Sequence, residues 1–354
     1  MRTAILGATG LVGRVMLRLL ETRPWVDDSP LLLAGVRSAG TELPFRGGRH
    51  VVRDAATADL AGIRLALFSA GGTVSREYAP RFAAVGAWVV DNSSAYRMDA
   101  AVPLVVPEVN PGLVPRLDPD APERGGIIAN PNCSTIQIAV PLAALHAAGG
   151  LREVQVTTLQ AVSGAGRLAV EELARQIPGQ MTRAARLTAG DLFDDADPGA
   201  GAVLPRRIAG NVVPRIGAAL PDGSFEEEAK VGRELRRILD LPSLAVSCTA
   251  TRVPVWNGHS AAVRVVLARP LTLEAARRAM VASGGVEVDP SPHGYTTPAE
   301  VSGDGAIRVG RLRHDPDRAE ALLFWVVADN LLKGAALNAV QIADLLAGAP
   351  APAR

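Results

Sequence analysis

The sequence predicts an α/β chain of two domains, and three observations carry that prediction. A short apolar run leads straight into a glycine-rich turn and then into a segment that is apolar at helical spacing. Further apolar runs end in clusters of small and polar residues, as buried parallel strands do. The 354 residues, 48% hydrophobic and 21% charged, suffice for more than one core without disulfides or metals.

Taken in order, Thr3 to Leu6 is a buried strand, "GATGLVG" a turn and "RVMLRLLE" a helix. Gly7, Gly10 and Gly13 follow G-x-x-G-x-x-G. Gly7 permits the tight turn, Gly10 lets backbone N–H groups approach a pyrophosphate, and Gly13 allows the helix to pack closely, with the helix dipole favouring the anion. A merely tight turn would also use these glycines. The pattern therefore suggests, without deciding, a Rossmann-type dinucleotide-binding domain. The next strand, "LLLAGV", ends at Arg37 and Ser38, where an NAD site would carry an acidic residue for the ribose. A cation and a hydroxyl suit the 2′-phosphate of NADP, although "RSAG" could equally be an exposed turn. "LALFSAGGTVS" and "AWVVDNSSAYR" supply two more strands ending in Ser69 to Gly72 and Asp91 to Ser94.

The second half opens on "NPNCSTIQ", which holds one of only two cysteines. "STIQIAVPLAALHAAGG" reads as a helix that Pro141 should kink, so Cys133 sits at a helix N-terminus. There the dipole and free amides stabilise a thiolate and offer an oxyanion hole. A small core residue is the plainer role for a cysteine. It fits Cys248, inside the apolar run "SLAVSCTATRVPV". A nucleophilic cysteine needs a base. His50 and His314 lie among charged loop residues, His146 near a helix end and His293 in a Pro/Gly-rich turn. His259 closes "TRVPVWNGHS", read as one strand entering a turn, with Arg252 seven residues earlier. That odd spacing sends the two to opposite faces unless the turn redirects one. From the residues alone, His259 is a base or a satisfied strand-end histidine.

Composition excludes several classes. Two cysteines make no disulfide framework, and no Cys/His spacing suits zinc, so a reducing cytoplasm is expected. A net charge of +1 argues against nucleic acid, and no run of about 18 apolar residues suggests a membrane span. Lys230 and Lys333 are the only lysines.

These residues resemble the aspartate-semialdehyde dehydrogenase family over nearly the whole chain. The resemblance rests on "GATGLVG", "RSAG", "FSAGG", "DNSSAYRMD", "VPLVVPEVN", "NPNCST", "LQAVSGAG", "NVVPRI", "EEEAK", "RVPVWNGHS", "VGRLR" and "DNLLKGAALNAVQIA", in the family's order. It implies that Cys133 is the nucleophile and His259 the acid/base residue. Gln160 and Arg252 would hold the substrate's amino-acid end, with Arg252 on the α-carboxylate. Arg97, Asn132 and Lys230 match phosphate-binding positions, and Glu227 a nearby acidic substrate contact. Charges at helical spacing in "FEEEAKVGRELRRIL" could also be a solvated face. Thr9, Gly10, Leu11, Val12, Arg37, Ser38, Ser163, Gly164 and Asn330 match cofactor contacts, beside Gly7 and Gly13 of the turn.

The implied activity is NADP-dependent reductive dephosphorylation of aspartyl β-phosphate to aspartate semialdehyde through a cysteine thioester, and its reverse. This serves lysine, threonine, methionine and diaminopimelate synthesis. The implied architecture is an NADP-binding domain over residues 1–132, completed by a C-terminal helix over 334–354. A catalytic and oligomerisation α+β domain covers 133–333, in a homodimer or homotetramer. N-acetyl-glutamyl-phosphate reductase shares the two-domain plan but differs around the cysteine and histidine. A silent NADP-binding relative should have lost its nucleophile or base. Three features depart from the family: Gly210, where a bulkier residue is common; Pro141; and the segment from Gln180 to Arg207, either a helical subdomain at an oligomer interface or a mobile loop. The tail "GAPAPAR" is expected to fray.

Overall fold

The computed structural model describes residues 1–117, 124–190 and 201–349. The first part of the chain runs β1 (Thr3–Leu6), α1 (Leu11–Leu20), β2 (Leu31–Ala34), β3 (Glu42–Phe45), β4 (Gly48–Val51), β5 (Arg53–Asp54), β6 (Leu65–Phe68), α2 (Gly72–Ala84), β7 (Trp88–Asp91) and β8 (Gly126–Ala129). Among the described residues, six of these strands form an all-parallel sheet in the order β5-β2-β1-β6-β7-β8. β1, β2 and β6 are buried along their whole length, which is why they are apolar without alternation. Strand order reverses between β1 and β6, where an open α/β sheet forms its ligand crevice.

The second part runs α3 (Cys133–Gly149), β9 (Leu151–Gln160), α4 (Arg167–Thr188), α5 (Glu226–Ile238), β10 (Ala245–Arg252), β11 (His259–Leu267), α6 (Leu273–Ala282), β12 (Val286–Val288), β13 (Ile307–Asp315), β14 (Arg318–Ala328) and α7 (Leu337–Leu346). Its mixed sheet has the order β10-β9-β11-β14-β13-β12. Here the strands alternate: Val154, Val156 and Val263 join a core with Ile136, Val140 and Leu235 of the helices, whereas Gln155, Thr157, Ser247 and Thr249 face outward. Cys248 is half-buried at the margin of this core, as its apolar surroundings suggested. A one-turn π-helix, Leu332–Ala336, leads into α7. That helix returns to the first sheet, burying Val340, Ile342, Ala343 and Leu346 against Ile5, Met16 and Leu32. Each large aliphatic side chain so buried contributes about 1.5–3 kcal/mol.

Two expectations are refined. "TRVPVWNGHS" is not one strand: β10 stops at Arg252 and β11 begins at His259. α3 runs on through Pro141, whose missing N–H leaves the Gln137 carbonyl without its helical donor. Gly210 has its reason in the backbone. Its φ is +67°, and a Cβ there would stand 2.7 Å from Gln180 Oε1. The segment from Gln180 continues α4 to Thr188, and Leu204, Ile208 and Val213 pack back on Ala169 and Leu173. Residues 191–200, and the end of the tail from 350 expected to fray, lie outside the described residues.

Candidate active site

Cys133 is the first residue of α3, and the helix starts there because Asn132 caps it. Asn132 Oδ1 accepts from the amides of Ser134 (2.9 Å) and Thr135 (3.3 Å). Gly334 of the π-helix presses on Cys133, since a Cβ at that position would stand 3.1 Å from Cys133 Cβ. Burial, and then the charge of Glu227, push the thiol up to about 11, against the lowering effects of Arg252, Arg97 and the Ser134 amide.

Three strand ends meet this helix start. Gln160 closes β9 and lies in register with Arg252, which closes the parallel β10. His259 opens the antiparallel β11 on the other side of β9, with Ser260 opposite Leu159. The connection 253–258 thus crosses the end of β9, held by Val253 N–H to Gln160 O (3.0 Å) and Val162 N–H to Val255 O (2.9 Å). That crossing resolves the odd spacing of Arg252 and His259. Both then converge on one place. Arg252 Nη1 donates to Ala161 O (2.9 Å) and reaches Gln160 Oε1 (3.5 Å). A Cβ on Gly164 would meet His259 Nε2 (2.9 Å) and Arg252 Nη1 (3.0 Å), so only glycine lets this loop lie over both.

His259 is fully buried, and its Nδ1 accepts from the Ala161 amide (3.0 Å). The ring proton of the neutral form is therefore on Nε2, which is buried with no partner. Burial, then Arg252, hold its pKa well below the usual histidine range. In this state His259 offers a hydrogen-bond donor at Nε2.

Helix α5 supplies the carboxylates. Glu227 Oε1 accepts from Asn132 Nδ2 (2.8 Å) and Gln160 Nε2 (3.2 Å), and Lys230 Nζ, a third exposed, stands 3.8 Å from Glu227 Oε2. Glu234 was missed by sequence reading. It accepts from the Asn132 amide (2.6 Å) and from Arg97 Nη1 (3.1 Å). Its seven-residue separation from Glu227 puts both on one helix face and was the available signal. Arg97 also donates to Asn130 O (2.9 Å) and Asn92 O (2.6 Å).

The glycine-rich turn fits a dinucleotide. Gly7 has φ +88°, and a Cβ there would stand 2.3 Å from Ser69 O, at the switch point. A Cβ on Gly13 would stand 2.2 Å from Gly7 O. Gly10 is the N-cap of α1 and no side chain caps it, leaving the first helical amides, those of Leu11 and Val12, for an anion. Thr9, just before Gly10, accepts Arg14 Nε at its carbonyl (3.1 Å). Arg37 and Ser38 follow β2, whose Leu33 carbonyl accepts from the amides of Gly7 (2.9 Å) and Ala8 (3.1 Å). Ser163 and Asn330 bond each other (2.9 Å), and Asn330 Oδ1 accepts from Gly258 N–H (2.8 Å), next to His259.

Residues 2–114 match the family model "Semialdehyde dehydrogenase, NAD binding domain", and residues 142–333 match "Semialdehyde dehydrogenase, dimerisation domain". The chain is 43% identical over 349 residues to aspartate-semialdehyde dehydrogenase of Bacillus subtilis (strain 168), covering 98% of this chain and 97% of the relative. The chain belongs to the aspartate-semialdehyde dehydrogenase family. A second relative of that name, from Streptomyces akiyoshiensis, is 45% identical over 350 residues, covering 98% of each chain. The crystal structure of aspartate semialdehyde dehydrogenase II from Vibrio cholerae, complexed with ASA, matches with a TM-score of 0.86 and 39% identity. It covers 98% of this chain and 97% of that one. An N-terminal NAD(P)-binding domain thus precedes a C-terminal dimerisation domain; these indicate a nicotinamide dinucleotide cofactor and an oligomer. Among the described residues no helix is long and apolar enough to cross a membrane, and no cluster of three His, Cys, Asp or Glu could hold a metal.

Proposed function

We propose that this protein interconverts aspartyl β-phosphate and aspartate semialdehyde with NADP, through a thioester on Cys133. The observation that carries this reading is the convergence of Gln160, Arg252 and His259, from three strand ends, on the helix that Cys133 begins. Arg252 presents a guanidinium for two parallel hydrogen bonds to the α-carboxylate, and Glu227 a carboxylate for the substrate's ammonium. Arg97 and Lys230 place positive charge for the phosphate. As the Cys133 sulfur attacks the acyl carbon it sheds its proton, the carbon–oxygen bond to phosphate breaks, and the departing phosphate gains a proton in the balance. In this reading the unpartnered His259 Nε2–H donates to the carbonyl oxygen as it becomes negative, which is worth most in a site closed to water. NADPH, when bound at the glycine-rich turn, supplies the hydride that the thioester needs. Arg37 and Ser38 support NADP over NAD. We place the domain division at residue 132 with 334–354 completing the first domain, a reading supported by the packing of α7.

The test is an assay of the purified protein with aspartate semialdehyde. NADP reduction should require inorganic phosphate and exceed NAD reduction about tenfold or more, because a charge-assisted contact to phosphate contributes about 1.5–3 kcal/mol. No phosphate-dependent NADPH formation would reject the activity. Equal rates with NAD would reject only the cofactor preference.

A further inference from the structure

We propose that Glu234 is a positioning residue, holding the guanidinium of Arg97 and the start of the Cys133 helix in one frame; this rests on the phosphate role proposed for Arg97. Glu234 lies two turns after Glu227 on α5 and is 1% exposed. Its two oxygens serve two segments distant in sequence: Oε1 takes Arg97 Nη1 and Oε2 takes the backbone N–H of Asn132. Asn132 in turn holds the first amides of α3 through its own side chain. One carboxylate thus fixes both the residue before the nucleophile and the cation beside it.

Arg97 shows what the fixing achieves. Its Nε and Nη2 are on the carbonyls of Asn130 and Asn92, and its Nη1 is on Glu234. A guanidinium has five N–H donors in a rigid plane. With three aimed at protein acceptors, the remaining donors have a set direction. Without Glu234 the Nη1 end is unheld and the plane can turn. A neutral acceptor could satisfy either donor. A carboxylate gives one oxygen to each and also pairs the cation's charge.

Glu234→Gln separates these contacts, since the amide oxygen still accepts the Asn132 N–H while the amide NH2 cannot accept from Arg97. In the oxidative direction the variant should show a KM for inorganic phosphate raised at least fivefold, with the KM for aspartate semialdehyde within twofold of wild type. A readout free of turnover is protection of Cys133 from iodoacetamide by inorganic phosphate, whose midpoint should shift by the same factor. In an Arg97→Lys background the Gln substitution should add less than twofold. If Glu234→Gln fails to fold, Glu234→Asp, which keeps the charge but shortens the reach, should show the phosphate-selective shift. Phosphate KM and protection midpoint both within twofold of wild type would overturn the proposal. So would a parallel rise in both KM values, the mark of a general structural role. A wild type without phosphate-dependent turnover would reject the activity instead, while the protection experiment would still report on Glu234.

Discussion

At Cys133 two influences on the thiol oppose each other. The helix start and the cations Arg252 and Arg97 favour the thiolate, whereas burial and Glu227 favour the thiol and prevail, with the thiol at about 11. Cys248 is pushed higher still, to about 12, by burial and the carboxylates of α5. One unit is a tenfold difference in thiolate at any pH below both values. Iodoacetamide at pH 8 should therefore label Cys133 about tenfold faster than Cys248 and abolish activity. The rate should go on rising with pH towards 11, since the reactive form is the deprotonated one. Glu227→Gln removes a charge that disfavours the thiolate, so labelling should speed up severalfold. Peptide mapping against time and pH checks each point. A plateau near pH 7 would mean that the free protein already holds a thiolate, and first labelling at Cys248 would remove Cys133 from the centre of the site.

At the scale of elements, the glycine-rich turn makes a graded prediction. A Cβ on Gly13 would meet backbone atoms at 2.2 and 2.9 Å, whereas one on Gly10 would meet Gly7 O at 3.3 Å. Gly13→Ala must displace the start of α1 and should weaken NADPH binding tenfold or more; Gly10→Ala should weaken it less. Fluorescence titration would measure both, and a Gly13→Ala protein that binds like wild type would detach this turn from the cofactor. The turn was legible because parallel strands buried on both faces, glycines and a helical period are all local signals. The helix that begins at Cys133 was legible for the same reason. The arrangement of Arg252 and His259 was not, because the residues between them do not reveal that β9, about a hundred residues earlier, lies between β10 and β11. Glu234 was hidden differently. A glutamate among seven other charges on a helix reads as solvated surface, and its burial depends on Asn132 and Arg97 arriving from elsewhere.

On the scale of the whole molecule, the chain's return from the second sheet to the first is fastened by a buried ion pair. Lys333 is 1% exposed, and its Nζ lies 2.8 and 2.7 Å from the oxygens of Glu108, 3.0 Å from Asn338 Oδ1 and 2.7 Å from Gln341 Oε1. Asn338 carries the tie onward to Val105 O (3.1 Å) and to Asn130 Oδ1 (2.7 Å), three residues before Cys133. Gly334, the next residue, is the one pressed against Cys133. Removing one partner of such a pair strands a buried charge and costs about 3–5 kcal/mol, whereas replacing both by apolar groups of similar volume is often nearly neutral. Lys333→Met should therefore lower the thermal midpoint by several degrees at fixed protein concentration, and Lys333→Met with Glu108→Met should recover at least half of that loss. The double variant should still turn over more slowly than wild type, because methionines cannot bond Asn338 and Gln341 and so cannot seat the π-helix against Cys133. A Lys333→Met protein as stable as wild type would show that the pair does not fasten the two domains. A double variant with full stability and full turnover would confine its role to filling space.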